Sequence, residues 1–316
     1  MTMKNFSLDV PPWVLRQVLG SKLSAAGGDL DAWSPVRRPG TPAGLLRRRL
    51  TAQPAPPDGC TLISFRLPQA ARLDAPAFES ACESIYDLLH DELESADGER
   101  HALRLWNFVP HILAPLGALE HRYMVFNAGR YRAVKRRLRA VEQVATASGV
   151  GHHSDDFLVH CLAGRVAGRA VENPRQVPAY LYSRRYGPLP PCFARATRLE
   201  TSAGSTLLVG GTAAVRGEDS LYAEDLEGQL EETLLNLSAL ARGTADDCDQ
   251  DPAPDLDGFR SVRAYYVRPE DRETVRRTLG RHLPSGTEIE LCRADLCRPE
   301  LLVEIEGVVV RAQARS

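Results

Sequence analysis

The stretch "CRPELLVEIEG", Cys297 to Gly307, sets a thiol and two carboxylates within an apolar run. Successive residues of an extended chain point to opposite faces, so Glu304 and Glu306 share a side, roughly 6–7 Å apart. Leu302, Val308 and Val310 accompany them, while Leu301, Val303, Ile305 and Val309 form the other face. A half-exposed strand would leave both acids in water. If the face lines a cavity instead, apolar neighbours raise a carboxyl pKa and keep a proton available for general acid catalysis. Spacing does not separate the two readings. Glu306 is read as a solvated neighbour in preference to a like charge that keeps Glu304 protonated.

A second stretch, "ENPRQVPAYLYSRRYGPLPPCFARAT" (172–197), crowds proline-fixed backbone with Tyr180, Tyr182 and Tyr186 beside Arg175, Arg184, Arg185 and Arg195. A guanidinium offers a planar fork to a carboxylate, and a tyrosine adds a ring with a hydroxyl donor. The segment suits an anionic, ring-bearing ligand, with a surface loop of solvated arginines as the plain alternative. In "LLVGGTAAVRG" (207–217), Gly210 and Gly211 interrupt a strand pattern, which marks either a β-bulge or a close approach to the backbone. No phosphate-loop or dinucleotide glycine motif is present. His152, His153, Asp155 and Asp156 in "GHHSDD" come nearest to a metal cluster, but adjacent strand residues diverge and no metal site is expected. No histidine neighbours Cys297 in sequence to form a Cys-His pair, so the thiol is expected to shape a site rather than attack.

The elements that must position these groups alternate. Strand patterns fall at 60–66, 103–110, 156–163, 192–197, 205–215, 259–268, 287–293 and 300–310. Helical patterns fall at 76–95, 129–143, 219–242 and 269–283, the third with Leu226, Leu230, Leu234, Leu237 and Ala241 on one stripe. The arginines of 129–143 are expected to face water. Residues 35–59, with six prolines and Arg37, Arg38, Arg47, Arg48 and Arg49, read as an irregular arm, and 246–258 as a mobile acidic connection. The fold class is α/β: a mixed sheet covered by helices. The expected divisions are 1–100 (an N-terminal extension and the start of a first α/β half), 101–200 (that half with the ligand segment) and 201–316 (a second half with the acid).

Among 316 residues, 39 basic and 41 acidic side chains nearly cancel, so neither nucleic acid nor a membrane surface is an expected partner. No apolar run approaches the ~20 residues that span a bilayer. Seven scattered cysteines without a C-x-x-C pair read as reduced thiols. "MTMKNFSLDVPPW" lacks the layout of a secretory signal, so the expected compartment is the cytoplasm.

Taken together, "RLWNFVPHI" (104–112), "RYMVFNAGR" (122–130), residues 171–197, "LLVGGTA" (207–213) and "CRPELLVEIEG" resemble the chorismatase family, which cleaves chorismate to pyruvate and a cyclic product. The resemblance covers about residues 100–310 and implies a core like the RidA and chorismate mutase proteins, working as a monomer or a homotrimer. It implies Glu304 as the catalytic acid, and Cys297 and Gly210 as positions that separate hydroxybenzoate-forming branches from one that makes a dihydrodiol. The implied product is 3-hydroxybenzoate; a related branch also releases 4-hydroxybenzoate, an outcome these residues leave open. Substrate-binding candidates are Arg195, Tyr186, Tyr180, Arg175, Gln176, Gly210 and Thr212. The reaction implies no cofactor and no metal, and would supply pigment, quinone or polyketide pathways. The alternatives are a non-catalytic RidA-like binding module and an imine deaminase.

Overall fold

A computed structural model describes residues 23–25, 33–52, 60–94, 100–138, 141–201, 204–242 and 254–312. The segment "MTMKNFSLDVPPW", Cys248 and the acidic stretch up to 253 lie outside these. The first unit contains β1 (Leu23–Ala25), β2 (Ser34–Pro35), β3 (Leu46–Ala52), β4 (Thr61–Leu67), α1 (Ala75–Leu93), β5 (His101–Pro110), α2 (Arg122–Arg137), β6 (Thr146–His152) and β7 (Phe157–Gly164). The second contains β8 (Arg169–Val171), β9 (Ala196–Thr201), β10 (Gly204–Ala213), β11 (Val215–Arg216), β12 (Asp219–Ser220), α3 (Leu226–Arg242), β13 (Phe259–Tyr266), α4 (Arg272–His282), β14 (Glu288–Arg293) and β15 (Val303–Ala312).

The two main sheets run β3-β4-β7-β5-β6 and β9-β10-β15-β13-β14, with β1 and β2 added beside β3 and β8 beside β9. The orders correspond strand for strand. α1 follows β4 as α3 follows β10, and α2 and α4 each span the crossover between parallel neighbours, β5–β6 and β13–β14. One connectivity is therefore used twice. Residue 100 falls just before β5 and residue 200 within β9, so neither expected division coincides with a sheet boundary.

Three apolar layers hold the fold. Phe65, Phe78, Ile85, Val109, Phe126 and Phe157 pack the first sheet against α1 and α2. Trp106, Phe108, Leu162, Leu208, Tyr265 and Leu296 pack sheet on sheet. Leu230, Leu234, Leu237, Val262, Leu279 and Ile305 pack the second sheet against α3 and α4. Both faces of each sheet are thus covered. The predicted Leu stripe of α3 is the part of that helix turned to its sheet, but the helix starts at Leu226: β12 occupies 219–220, and Tyr222 and Glu224 turn with positive φ of 56° and 65°.

Two expectations change. Within the arginine- and proline-rich arm, 46–52 forms strand β3, because the prolines flank it, three before and three after, and Leu46 to Thr51 pair in register with Arg66 to Thr61 of β4. The basic helix starts earlier than the pattern implied, and its arginines do not simply face water. Arg132, Arg136 and Arg137 reach across to Glu79, Glu83, Asp87 and Asp91 of α1. α1 itself begins where Asp74 accepts a 2.9 Å hydrogen bond from the Ala77 amide, with proline in its first turn.

The α1–α2 crossing is close because Gly129 has no side chain: a Cβ there would lie 2.3 Å from the Glu79 carbonyl oxygen and 2.8 Å from the Cys82 Cβ. Alanine favours a helix over glycine by about 1 kcal/mol, but forcing backbone apart costs about 1–3 kcal/mol. Overpacking wins. Gly129→Ala is expected to lower stability by about 1–2 kcal/mol, read from the urea midpoint.

Candidate active site

A cavity of about 430 Å³ opens between the units. β15 supplies Glu304 to its wall, β6 supplies Ala147 and Gly149, α2 supplies Tyr123 and Met124, β10 supplies Gly211 and Ala213, and the coil 172–195 supplies Gln176, Tyr182, Tyr186, Phe193 and Arg195. Cys297, Arg298, Glu300 and Leu301 close it from the turn before β15.

Both glutamates are buried, Glu304 at 5% exposure and Glu306 at 1%. This overturns the solvated reading of Glu306. The reason lies in the first unit, which sequence alternation along β15 does not reveal: Arg104 Nη2 donates to Glu306 at 2.7 Å, Trp106 Nε1 donates at 2.9 Å, and Ser148 donates its hydroxyl as well. Glu306 is therefore an ion-paired carboxylate between the sheets.

Glu304 has no such partner among the described residues. Burial pushes its pKa up, the neighbouring Glu306 charge pushes it further, Arg104 and Arg195 pull it down, and the balance is about 8. Near pH 7 its proton is largely retained, at a ratio of about ten to one. The Cys297 thiol is pushed up to about 12, by burial first and then by Glu304, so the sulfur is not a thiolate. Tyr123 is raised well above its ordinary value by burial and then by Cys297, with Glu304 a smaller contributor, placing the hydroxyl in the same electrostatic neighbourhood.

The carboxyl of Glu304 occupies space that glycine vacates. A Cβ on Gly211 would stand 1.8 Å from Glu304 Oε1. The register of β10 against β15 shifts between Val209 and Thr212, so the glycine pair serves both as a β-bulge and as a close approach. The Gly211 amide donates to Ser148 Oγ at 2.9 Å, joining the bulge to the Glu306 network.

Two cations face the cavity. Arg195, 6% exposed, donates to the Val177 carbonyl at 3.0 Å and to Tyr182 Oη at 2.6 Å, with its guanidinium carbon 5.1 Å from the Phe193 ring centre. Arg298, 8% exposed, donates to the Glu218 carbonyl at 2.8 Å and Ser220 Oγ at 2.9 Å, and lies 3.9 Å over the Tyr186 ring. Neither has a carboxylate partner among the described residues. Tyr186 donates its hydroxyl to the Glu218 carbonyl.

Of the sequence candidates, Glu304, Cys297, Arg195, Tyr186 and Gln176 line this cavity. Gln176 donates to the Val215 carbonyl at 2.9 Å and leaves Oε1 without a partner among the described residues. Arg175 lies outside the wall because it is committed to Glu232 at 2.7 Å and Asn236 at 2.9 Å. Tyr180 packs against the first core instead. Thr212 donates its hydroxyl to the Gly210 carbonyl at 3.0 Å, and Gly210 is walled off by Thr146, Arg195 and Ala147; neither lines the cavity. The cavity also takes Arg298, Tyr123 and Phe193, which are not among the sequence candidates, and Gly211, which the sequence marked only as half of a bulge or close approach. Arg298 and Gly211 adjoin chosen residues, whereas Tyr123 lies on a helix about 180 residues from the acid.

A buried acid whose pKa is raised, set in one cavity with two arginines that have no carboxylate partner among the described residues, is an arrangement suited to an α/β enzyme that handles an anionic molecule. Residues 57–163 match the family model described as the N-terminal part of FkbO/Hyg5-like chorismatases. A 3-hydroxybenzoate synthase of Streptomyces hygroscopicus is 33% identical over 239 residues, covering 74% of this chain and 70% of that protein. A chorismatase of Streptomyces rapamycinicus is 30% identical over 258 residues, covering 77% and 72%. A chorismatase crystal structure aligns with a TM-score of 0.72 at 28% identity, over 86% of this chain and 78% of that one. The chain belongs to the chorismatase family.

The ion pair beneath the site is testable. Arg104→Met leaves Glu306 buried without its cation and is expected to cost about 3–5 kcal/mol in chemical denaturation. Arg104→Met with Glu306→Leu should recover part of that loss.

Proposed function

We propose that the protein converts chorismate to 3-hydroxybenzoate and pyruvate, with Glu304 as the general acid. The observation that carries this is the buried Glu304, its pKa raised to about 8, lining one cavity together with Arg195 and Arg298. Chorismate has a carboxylate on its ring and another on its enolpyruvyl arm, and two arginines without carboxylate partners match that demand. Tyr186, Tyr182 and Gln176 supply polar edges and Phe193 an apolar wall.

In this reading Glu304 gives its proton to the methylene carbon of the enol ether. The arm becomes an oxocarbenium; the bond between ring carbon and ether oxygen then breaks with its electrons going to oxygen, and pyruvate leaves as the keto acid. The hydroxyl oxygen of the adjacent carbon bonds to the ring carbon so exposed, its former C–O bond breaks with the electrons going to oxygen, and loss of the proton from the carbon that now bears the oxygen completes the aromatic system. One proton enters and one leaves, so Glu304 is restored and no net water or oxidant is consumed. Cys297, held as a neutral thiol against the acid, fills space that water would otherwise use to divert the cation to a dihydrodiol. Gly210 acts on this choice through the bulge that sets Gly211 and Arg195, since its amide donates to the Arg195 carbonyl at 2.9 Å. The two similar sequences named chorismatase and 3-hydroxybenzoate synthase support the same reading.

Incubation with chorismate should release pyruvate, measured by a coupled lactate dehydrogenase assay, and 3-hydroxybenzoate, resolved from 4-hydroxybenzoate by chromatography. Glu304→Gln, which keeps shape and loses the proton, is expected to lower kcat about a hundredfold to ten-thousandfold. Because the protonated acid is the working form, kcat/KM of the wild type should be level below the free-enzyme pKa of about 8 and fall about tenfold per unit above it. A profile that rises through pH 8 would reject Glu304 as the proton donor. Cys297→Ala should keep pyruvate release within about threefold while the dihydrodiol share of the products increases; an unchanged product ratio rejects the steering role.

A further inference from the structure

A second cavity, about 630 Å³, lies between the C-terminal parts of α1 and α2, the start of β5 and the edge strand β8. It shares no lining residue with the first. Tyr86, Leu89, Leu105, Val134 and Val144 give it an apolar wall, and Arg130 enters that wall from α2.

Arg130 is 3% exposed. Among the described residues its Nε has no hydrogen-bond partner and its guanidinium no carboxylate. It is held by rings instead, 5.2 Å from the Tyr86 centre and 6.0 Å from that of Phe126. The neighbouring Arg137 differs, being spent on Asp87 and Asp91. Burying a cation without a counter-charge is unfavourable, and cation–π contact offsets it only in part. Arg195 shows the same arrangement, a buried guanidinium on aromatic faces, at the place where the proposed function puts the substrate carboxylate.

We infer that this cavity is a second binding site that takes a small aromatic carboxylate, with the carboxylate against Arg130 and the ring against Leu105, Val134 and Val144. The rest of the lining is mixed in charge, with Arg100, Arg137 and Arg169 offset by Glu94 and Glu142. The buried Arg130 on its apolar wall has no carboxylate partner among the described residues and fits a monoanion with a flat ring better than an inorganic anion, which needs donors on several sides.

Calorimetric titration of benzoate into the intact protein tests this. Two benzoates per chain are expected for the wild type. Arg130→Met, which keeps the packed stem and removes the charge, should weaken one site at least tenfold and leave the other, while Arg195→Met does the reverse. Arg130→Met should melt no lower than the wild type, since it relieves a buried charge. Ala170→Trp, which narrows the second cavity from its opposite wall, should abolish the same site as Arg130→Met. Wild-type stoichiometry and affinity in both Arg130→Met and Ala170→Trp would overturn the inference. So would a single wild-type site lost only in Arg195→Met, or inorganic phosphate binding through Arg130 where benzoate does not.

Discussion

One buried carboxylate ties the two units together. Glu306 belongs to the second unit, yet its partners Arg104, Trp106 and Ser148 all come from the first. Stripping water from such a pair is expensive, and it is tolerated only where geometry is good and the remaining acceptor sites are filled. Here both oxygens are used, one by Trp106 and one by Arg104 with Ser148. A relative slip of the two sheets would orphan charges on both sides at once. The network thus selects one alignment of the sheets, which apolar contacts between two β-faces would specify less sharply.

That alignment is what gives Glu304 its character. It sits two residues before Glu306 on the same face, but the first unit offers it cavity rather than an ion-pair partner. Burial and the Glu306 charge raise its pKa, Arg104 and Arg195 oppose them, and the result lies near neutrality. The compromise matters for proton transfer, since an acid held far higher would retain its proton and one left at its ordinary value would have lost it. Gly211 contributes by absence, because a methyl group would fall on the carboxyl oxygen. Charge and space at this point are set by different strands, β15 and β10, joined through Ser148.

Local pattern made most of the fold legible. The Leu stripe of α3, the start of α1 at Asp74–Pro76 and the strands near 61–67, 157–164 and 303–312 follow from periodicity and capping. The shared side of Glu304 and Glu306 also followed from alternation. Their different fates did not, because the cation that neutralises Glu306 is about 200 residues away. Likewise β3 was hidden between prolines that flank it without entering it, and the basic face of α2 was hidden because its acidic counterpart is α1. Composition marked 172–197 as a ligand segment without distinguishing its arginines. What separates them is pairing: Arg175 is spent on Glu232, Arg185 on Asp219, and Arg195 on no carboxylate among the described residues.

The way the two cavity arginines are held bears on the electrostatics of Glu304. Arg195 and Arg298 rest on Phe193, Tyr182 and Tyr186 and are oriented by carbonyl and hydroxyl oxygens. Rings and neutral oxygens fix a guanidinium in place without cancelling its charge, whereas a carboxylate would do both. The positive field therefore persists in the cavity, where that of Arg195 draws the Glu304 pKa down. Under the proposed function, a substrate carboxylate settling on Arg195 would neutralise that pull and move the balance on Glu304 further toward the protonated form. Binding the anion and arming the acid would then be one electrostatic event.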